Sequence, residues 1–119
     1  MEKFLIQDSV FDALPTEQLQ QLCEKSSLDN KTRACAALAR RVQQQPDLLP
    51  YLLTMIRSPA NRQIRVMGTI SLAHVGFASL WFKSTDSIKQ IMQEVLSEWP
   101  EPDRSDLVWF LQSQRLDHS

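Results

Sequence analysis

Apolar residues recur at helical spacing along most of the chain. Leu19, Leu22 and Cys23 stand at positions i, i+3 and i+4. The same spacing returns in three later sets, which are Ala34/Cys35/Leu38/Val42, Leu49/Leu52/Leu53/Ile56 and Ile88/Ile91/Met92/Val95/Leu96. Such spacing places the side chains on one face of a helix, and the alternation typical of strands is missing. The pattern predicts an all-α fold with at least six helices and no sheet.

Prolines, glycines and capping residues set the expected boundaries. Pro46 ends one helix, Asp47 is a candidate N-cap for the next, and Gly76 is a candidate left-handed C-terminal stop. We expect a helical turn over 9–14 and helices over about 15–26, 30–45, 48–57, 60–75, 87–99 and 103–114. The first eight residues are predicted to form an arm, and residues 116–119 a frayed tail.

The two central pairs of helices repeat one pattern. Shifted by 34 residues, Ala34-Cys35 falls on Gly68-Thr69, and Ala37-Leu38-Ala39 falls on Ser71-Leu72-Ala73. The helices that follow align at an offset of 39, which leaves five extra residues within 77–85. Small residues at this spacing allow another helix to approach closely. A chance similarity between two helical hairpins is the alternative explanation.

The sequence 61–65 (NRQIR), followed by Gly68-Thr69 and Ser71-Leu72-Ala73, resembles the first helix of a HEAT repeat. That family favours an apolar-Arg pair, then small residues, then a Leu-small pair. The first copy departs from it, because Asn30 replaces the apolar residue. Over roughly residues 28–99 the resemblance implies a short right-handed stack of helical hairpins, a HEAT-like α-solenoid with flanking capping helices. We expect one domain, 1–119, made of an N-terminal cap (1–27), two repeats (28–59 and 60–99) and a C-terminal capping helix with a tail (100–119).

A basic middle lies between acidic ends, although the net charge is only −1. Residues 31–65 hold seven bases and one acid, whereas residues 1–30 hold six acids and two bases. Stacked helices could gather the arginines into one anion-binding stripe, made of Arg33, Arg40, Arg41, Arg57, Arg62 and Arg65. Ordinary surface arginines paired with acids are the other interpretation. An isoelectric point near 6.1 is unfavourable for general nucleic-acid affinity.

The sequence contains no constellation typical of an enzyme. It has no glycine-rich phosphate loop, no His-Glu-x-x-His motif, no paired cysteine motif and no calcium loop. His74 is expected to be a packing or surface histidine. Cys23 and Cys35 are expected to be two reduced core thiols. We therefore predict no catalytic residue, no cofactor and no metal site.

The five extra residues belong to an unusually apolar segment. Phe77, Leu80, Trp81 and Phe82 lie within six residues of one another. An apolar insertion in a helical repeat is expected as a loop that either packs under the last helix or binds a partner. The sequence thus predicts a partner-binding loop at these four residues, and the core is the alternative place for them.

These observations favour a binding module that is not an enzyme. Its partner is expected to be another protein, towards which it would act as an adaptor, an assembly factor or an inhibitor of the immunity-protein type. Nucleic-acid or anionic-ligand binding through the arginines is the alternative. With no signal sequence and no membrane-spanning apolar run, we expect a cytoplasmic protein without a membrane partner.

Overall fold

The computed structural model describes residues 8–82 and 84–118, with side chains up to residue 114. In these ranges eight helices and one two-stranded antiparallel sheet form a compact body of 34 × 30 × 29 Å. The elements are α1 (Ser9–Asp12), α2 (Thr16–Glu24), α3 (Leu28–Arg40), α4 (Leu48–Arg57), α5 (Pro59–Gln63), β1 (Arg65–Met67), β2 (Ile70–Ser71), α6 (Leu72–Phe82), α7 (Asp86–Glu98) and α8 (Asp103–His118). The predicted helical fold is confirmed, whereas the expectation of no sheet is wrong.

The termini differ in part from the prediction. Residues 1–7 of the expected arm and Ser119 of the expected tail lie outside the described residues. Helix α8 continues to His118, beyond the predicted end at Gln114.

Local capping explains where several helices begin. Ser27 Oγ accepts a hydrogen bond from the Asn30 amide at the start of α3, and Thr85 Oγ1 accepts one from the Ile88 amide at the start of α7. Asp47 occupies the N-cap position of α4 but makes no capping bond. Its backbone is already helical, at φ −60° and ψ −21°, rather than extended as a capping residue requires. The prediction of a capping side chain there is therefore wrong.

The helix predicted over 60–75 is interrupted by a hairpin. After the short α5, the chain forms β1 and β2 and turns at Gly68, whose φ is +55°. The β-branched residues Ile64, Val66 and Ile70 suit this extended backbone, and glycine adopts the left-handed turn without steric cost. Gly68, and not Gly76, is thus the glycine with the left-handed conformation.

Helix α6 occupies the centre of the molecule. It contacts α3, α4, α5, α7 and α8, and every residue from Leu72 to Leu80 is buried. Gly76 lies inside this helix and does not end it. A helix that is apolar all round is typical of a fully buried position.

The repeat alignment pairs residues at opposite ends of their helices. Leu38 lies in the last turn of α3, whereas Leu72 is the first residue of α6. Both are buried, at 0% and 1% exposure. Both leucines thus belong to the core, but the 34-residue offset does not superpose equivalent helical positions.

Candidate partner-binding surface

The apolar segment from Phe77 to Phe82 is helical, so its interpretation as a loop is wrong. Phe77 and Leu80 are 0% and 1% exposed and belong to the core. They face the inside of the molecule because α6 is enclosed by its neighbours. Trp81 and Phe82, at the end of the helix, are only partly buried. Of the four predicted binding residues, the structure thus leaves two accessible to a partner.

Trp81 and Phe82 open onto a groove between the end of α6, α7 and α8. The groove has a volume of about 350 Å³, and its lining is Trp81, Phe82, Lys89, Val108, Leu111 and Gln112. The Trp81 ring stacks on Phe77 with a centroid separation of 6.0 Å and an interplanar angle of 19°. The Lys89 Nζ lies 5.1 Å from the centroid of the Trp81 ring, on its face. These contacts fix the indole against the core while part of it remains open.

Helix α8 extends this surface with two exposed apolar side chains. Val108 is 43% and Trp109 is 58% exposed. The predicted site did not include either residue. The spacing of Leu107, Phe110 and Leu111 contains the relevant signal, because it defines the face of α8 that packs inward and leaves the intervening positions outside.

The first arginines of the predicted stripe bind groups of the N-terminal segment. The Arg33 Nε donates to Asp8 Oδ2 at 2.7 Å, and the Arg40 Nη2 donates to Asp12 Oδ1 at 2.8 Å. The Arg33 guanidinium holds the pKa of the Asp8 carboxyl below its ordinary value. Arg41 donates to the backbone carbonyl of Asp12 at 2.8 Å. These side chains tie α1 to α3.

The remaining arginines bind groups elsewhere in the chain. Arg57 pairs with Glu98 at 3.2 Å, and Arg62 pairs with Asp103 at 3.4 Å. Arg65 donates to a carbonyl in the hairpin turn at 2.7 Å. The structure therefore gives each of the six predicted stripe residues an internal partner, and it separates them into groups on different elements.

His74 joins the start of α6 to the start of α8. Its Nδ1 accepts from the Ser71 amide at 2.9 Å and lies 2.6 Å from Ser71 Oγ, while Ser71 Oγ accepts from the His74 amide at 3.3 Å. This is a reciprocal N-cap with histidine in the role that glutamate usually has. With Nδ1 accepting, Nε2 carries the proton and donates to the Asp103 carbonyl at 2.9 Å. Burial lowers the pKa of His74.

The serine-histidine contact does not provide a reaction centre. Ser71 and His74 are both 0% exposed, so a substrate cannot reach either side chain in this structure. The packing role expected for His74 agrees with this geometry. Cys23 and Cys35 are both free and buried.

Comparison with known proteins gives no further assignment: no family model matches the chain, and neither a curated protein nor a solved structure shows significant similarity to it. Within residues 8–82 and 84–118, no helix combines the length and the hydropathy needed to cross a bilayer. The same part of the chain holds no group of three or more histidine, cysteine and acidic side chains placed to hold a metal ion.

Proposed function

We propose that the protein is a non-enzymatic binding module that receives an apolar segment of another protein in the groove between α6, α7 and α8. One observation carries the proposal. A groove with a fixed but partly open tryptophan at its wall is also lined by the exposed Val108 of α8, and Trp109, the next residue of that helix, is exposed as well. Tryptophan is frequent at binding hot spots, because it buries a large area while losing little conformational entropy.

The charges around the groove favour a particular kind of segment. Among the described residues of its lining, Lys89 is the one cation. Four of the six stripe arginines are paired with Asp8, Asp12, Glu98 and Asp103, and the other two donate to backbone carbonyls. An apolar segment with an acidic residue beside it therefore fits this surface better than a polyanion does.

The HEAT-like architecture remains part of the proposal. Helices α3 and α4 form one hairpin and α6 and α7 a second, and they are in contact through α3 with α6 and through α4 with α7. This pairing supports a stack of two helical hairpins in which α1–α2 and α8 act as caps. Residues 61–71, which carry most of the HEAT resemblance, form the end of α5 and the hairpin instead of the first helix of the second repeat. The short helix α5 and the hairpin would then be the connection between the repeats. A cytoplasmic adaptor, assembly factor or inhibitor is consistent with free thiols, which a reducing compartment maintains.

A selection from a displayed library of random peptides tests the proposal without a known partner. The immobilised protein should enrich peptides that combine aromatic or large aliphatic residues with an acid. Binding of one enriched synthetic peptide is then measured by calorimetry for the wild type and for Trp109→Ala and Val108→Asp. Each variant should lose about 2 kcal/mol of binding free energy, about 30-fold in Kd, with an unchanged melting temperature.

The matched control is Leu28→Ala, which removes another exposed apolar side chain from the start of α3. It should bind the peptide as the wild type does. Failure to enrich any peptide sequence, or equal losses in the control, would contradict the proposal. An affinity that falls steeply as salt is raised would instead support the alternative anion-binding function.

A further inference from the structure

Three sulfur atoms from three helices meet beneath a second cleft of the molecule. The Cys23 Sγ on α2 and the Cys35 Sγ on α3 each lie 3.5 Å from the Met55 Sδ on α4. All three residues are buried. We propose that Cys23, Cys35 and Met55 form a binding site for a single monovalent, thiophilic metal ion, Cu(I), separate from the partner-binding groove.

The donor set selects the ion. Thiolates and thioethers are soft ligands, and Cu(I) is the common biological ion that prefers them. Zinc is held by four ligands at structural sites, usually with histidine or further cysteines. The part of the chain that the structure describes brings no such third group to these cysteines. Two thiolates and one thioether instead suit a three-coordinate ion.

A cleft gives the ion a route to the sulfurs. It has a volume of about 540 Å³, and both Cys23 and Met55 line it, together with Lys31 and Tyr51. Cys23, at the floor of the cleft, is thus placed to be the first ligand.

Gly76 allows the sulfur residues to pack directly against the backbone of α6. A Cβ at this position would lie 2.7 Å from Met55 Cε and 2.9 Å from Cys35 Sγ. Metal–thiolate bonds of about 2.3 Å would hold sulfurs around a trigonal ion about 4 Å apart, so the present contacts must widen by about half an ångström. The space beside Gly76 is already filled by Met55 Cε and Cys35 Sγ, so the flexible side chain of Met55 has to take up this change.

Binding would exchange protons for the ion. Cu(I) replaces the two thiol protons, which pass to the solvent, and the resulting site carries one negative charge. The apparent affinity should therefore rise with pH. Lys31 in the cleft partly offsets the added charge.

The experiment uses the reduced full-length chain without oxygen. Cu(I) is supplied as its complex with a coloured chelator, and the protein should remove one ion per chain, with a near-ultraviolet thiolate-to-copper absorption. Cys23→Ala and Cys35→Ala should weaken binding at least about a hundredfold, and Met55→Leu about tenfold, in line with the sensitivity of metal sites to their ligands. Each variant is first checked for folding by circular dichroism.

Met67→Leu is the matched control, because it makes the same change at an exposed methionine of the hairpin. It should bind Cu(I) as the wild type does. As a second measurement, Cu(I) should raise the melting temperature of the wild type and of Met67→Leu but not of the cysteine variants. The proposal is overturned if the wild type takes no ion from the chelator, if the cysteine variants compete equally well, or if Zn(II) binds with the same stoichiometry and affinity.

Discussion

Helices α3 and α6 pack against each other in the core, but α3 is exposed over its first turn, whereas α6 reaches the solvent only at its last residues, Trp81 and Phe82. Helix α3 buries every residue from Ala34 to Ala39 but leaves Asp29 and part of Arg33, in its first half, exposed to solvent. Helix α6 buries every residue from Leu72 to Leu80. The two helices therefore depend on different sources of stability.

The start of each helix shows the same difference. Helix α3 begins at the exposed Ser27, which caps it through a local hydrogen bond. Helix α6 begins at the buried Ser71, whose cap depends on His74 and, through it, on Asp103 of α8. Helix α3 is thus specified largely by its own sequence, whereas α6 needs the surrounding helices.

The largest expected effect is the loss of an aromatic side chain from α6. Phe77 is fully buried, stacks on Trp81 and meets Trp99 at a centroid distance of 5.6 Å. We expect Phe77→Ala to lower the free energy of unfolding by about 3–5 kcal/mol, and Leu38→Ala and Leu72→Ala each by about 2–5 kcal/mol. Urea denaturation measures these losses.

Trp109→Ala is the control for this series, since the residue is 58% exposed. It should change the free energy of unfolding by less than about 0.5 kcal/mol. A similar small loss for Phe77→Ala would show that α6 is not enclosed as described.

The second prediction contrasts the two glycines. Alanine normally stabilises a helix relative to glycine by about 1 kcal/mol. At Gly76 the new methyl would meet Cys35 Sγ at 2.9 Å, and this short side chain has little freedom to move away. We expect Gly76→Ala to destabilise the protein by about 1–3 kcal/mol, measured by the same denaturation.

Gly68→Ala is the matched substitution. The new methyl group would have no atom within 4 Å, but the φ of Gly68 is +55°, so the cost is backbone strain of about 1 kcal/mol. If Gly76→Ala stabilised the protein, the close packing of α6 against α3 would be disproved.

The same contrast explains how far the sequence predicts this fold. The periodic faces placed α3 and α7 within a few residues of their observed ranges, apart from an extension of α3 into the turns that follow Arg40. Helix α6 has no polar face, so its apolar residues gave no helical period. The prediction took Gly76 as a C-terminal stop, split the helix there and assigned its second half to a loop.

The candidate sites were predictable only in part. The sequence singled out Trp81 and Phe82, which are partly accessible, but not the burial of Phe77, whose helix is in contact with five others. The sulfur cluster joins residues as far apart as Cys23 and Met55, with no motif spacing. Tertiary packing alone brings such residues together.

The third prediction compares the two serine caps. Ser71→Ala would leave the buried His74 amide without its acceptor, which should cost about 1–3 kcal/mol. Ser27→Ala removes an exposed cap from α3 and should cost about 0.5–1 kcal/mol, because water can replace the lost bond. Thermal denaturation of the two variants gives the difference directly, and a larger loss at Ser27 would contradict this account of the two helices.

The smallest effect that we expect concerns pH. His74 of α6 and Asp8, which binds Arg33 of α3, should stabilise the folded protein over different pH ranges. Burial lowers the pKa of His74 from its ordinary 6.5, mainly by desolvation, although Asp103 and Asp106 oppose the shift. At a pH between the folded and the unfolded pKa values, His74 therefore binds a proton in the unfolded chain but not in the folded one. The contribution of His74 is complete above about pH 6.5 and declines below it, by at most about 1.4 kcal/mol per pH unit. On the α3 side, Arg33 lowers the pKa of Asp8 from 3.8, so the contribution of that carboxylate persists above this value and is lost at lower pH.

The free energy of unfolding, measured between pH 7.5 and about 5, should accordingly fall with acid in the wild type and much less in His74→Gln. His118→Gln makes the same change at the only other histidine of the sequence, and the difference between the variants isolates His74. If His74→Gln kept the full slope, the neutral, doubly hydrogen-bonded state assigned to this histidine would be wrong. The dependence of α6 on its surroundings would then rest on apolar packing alone.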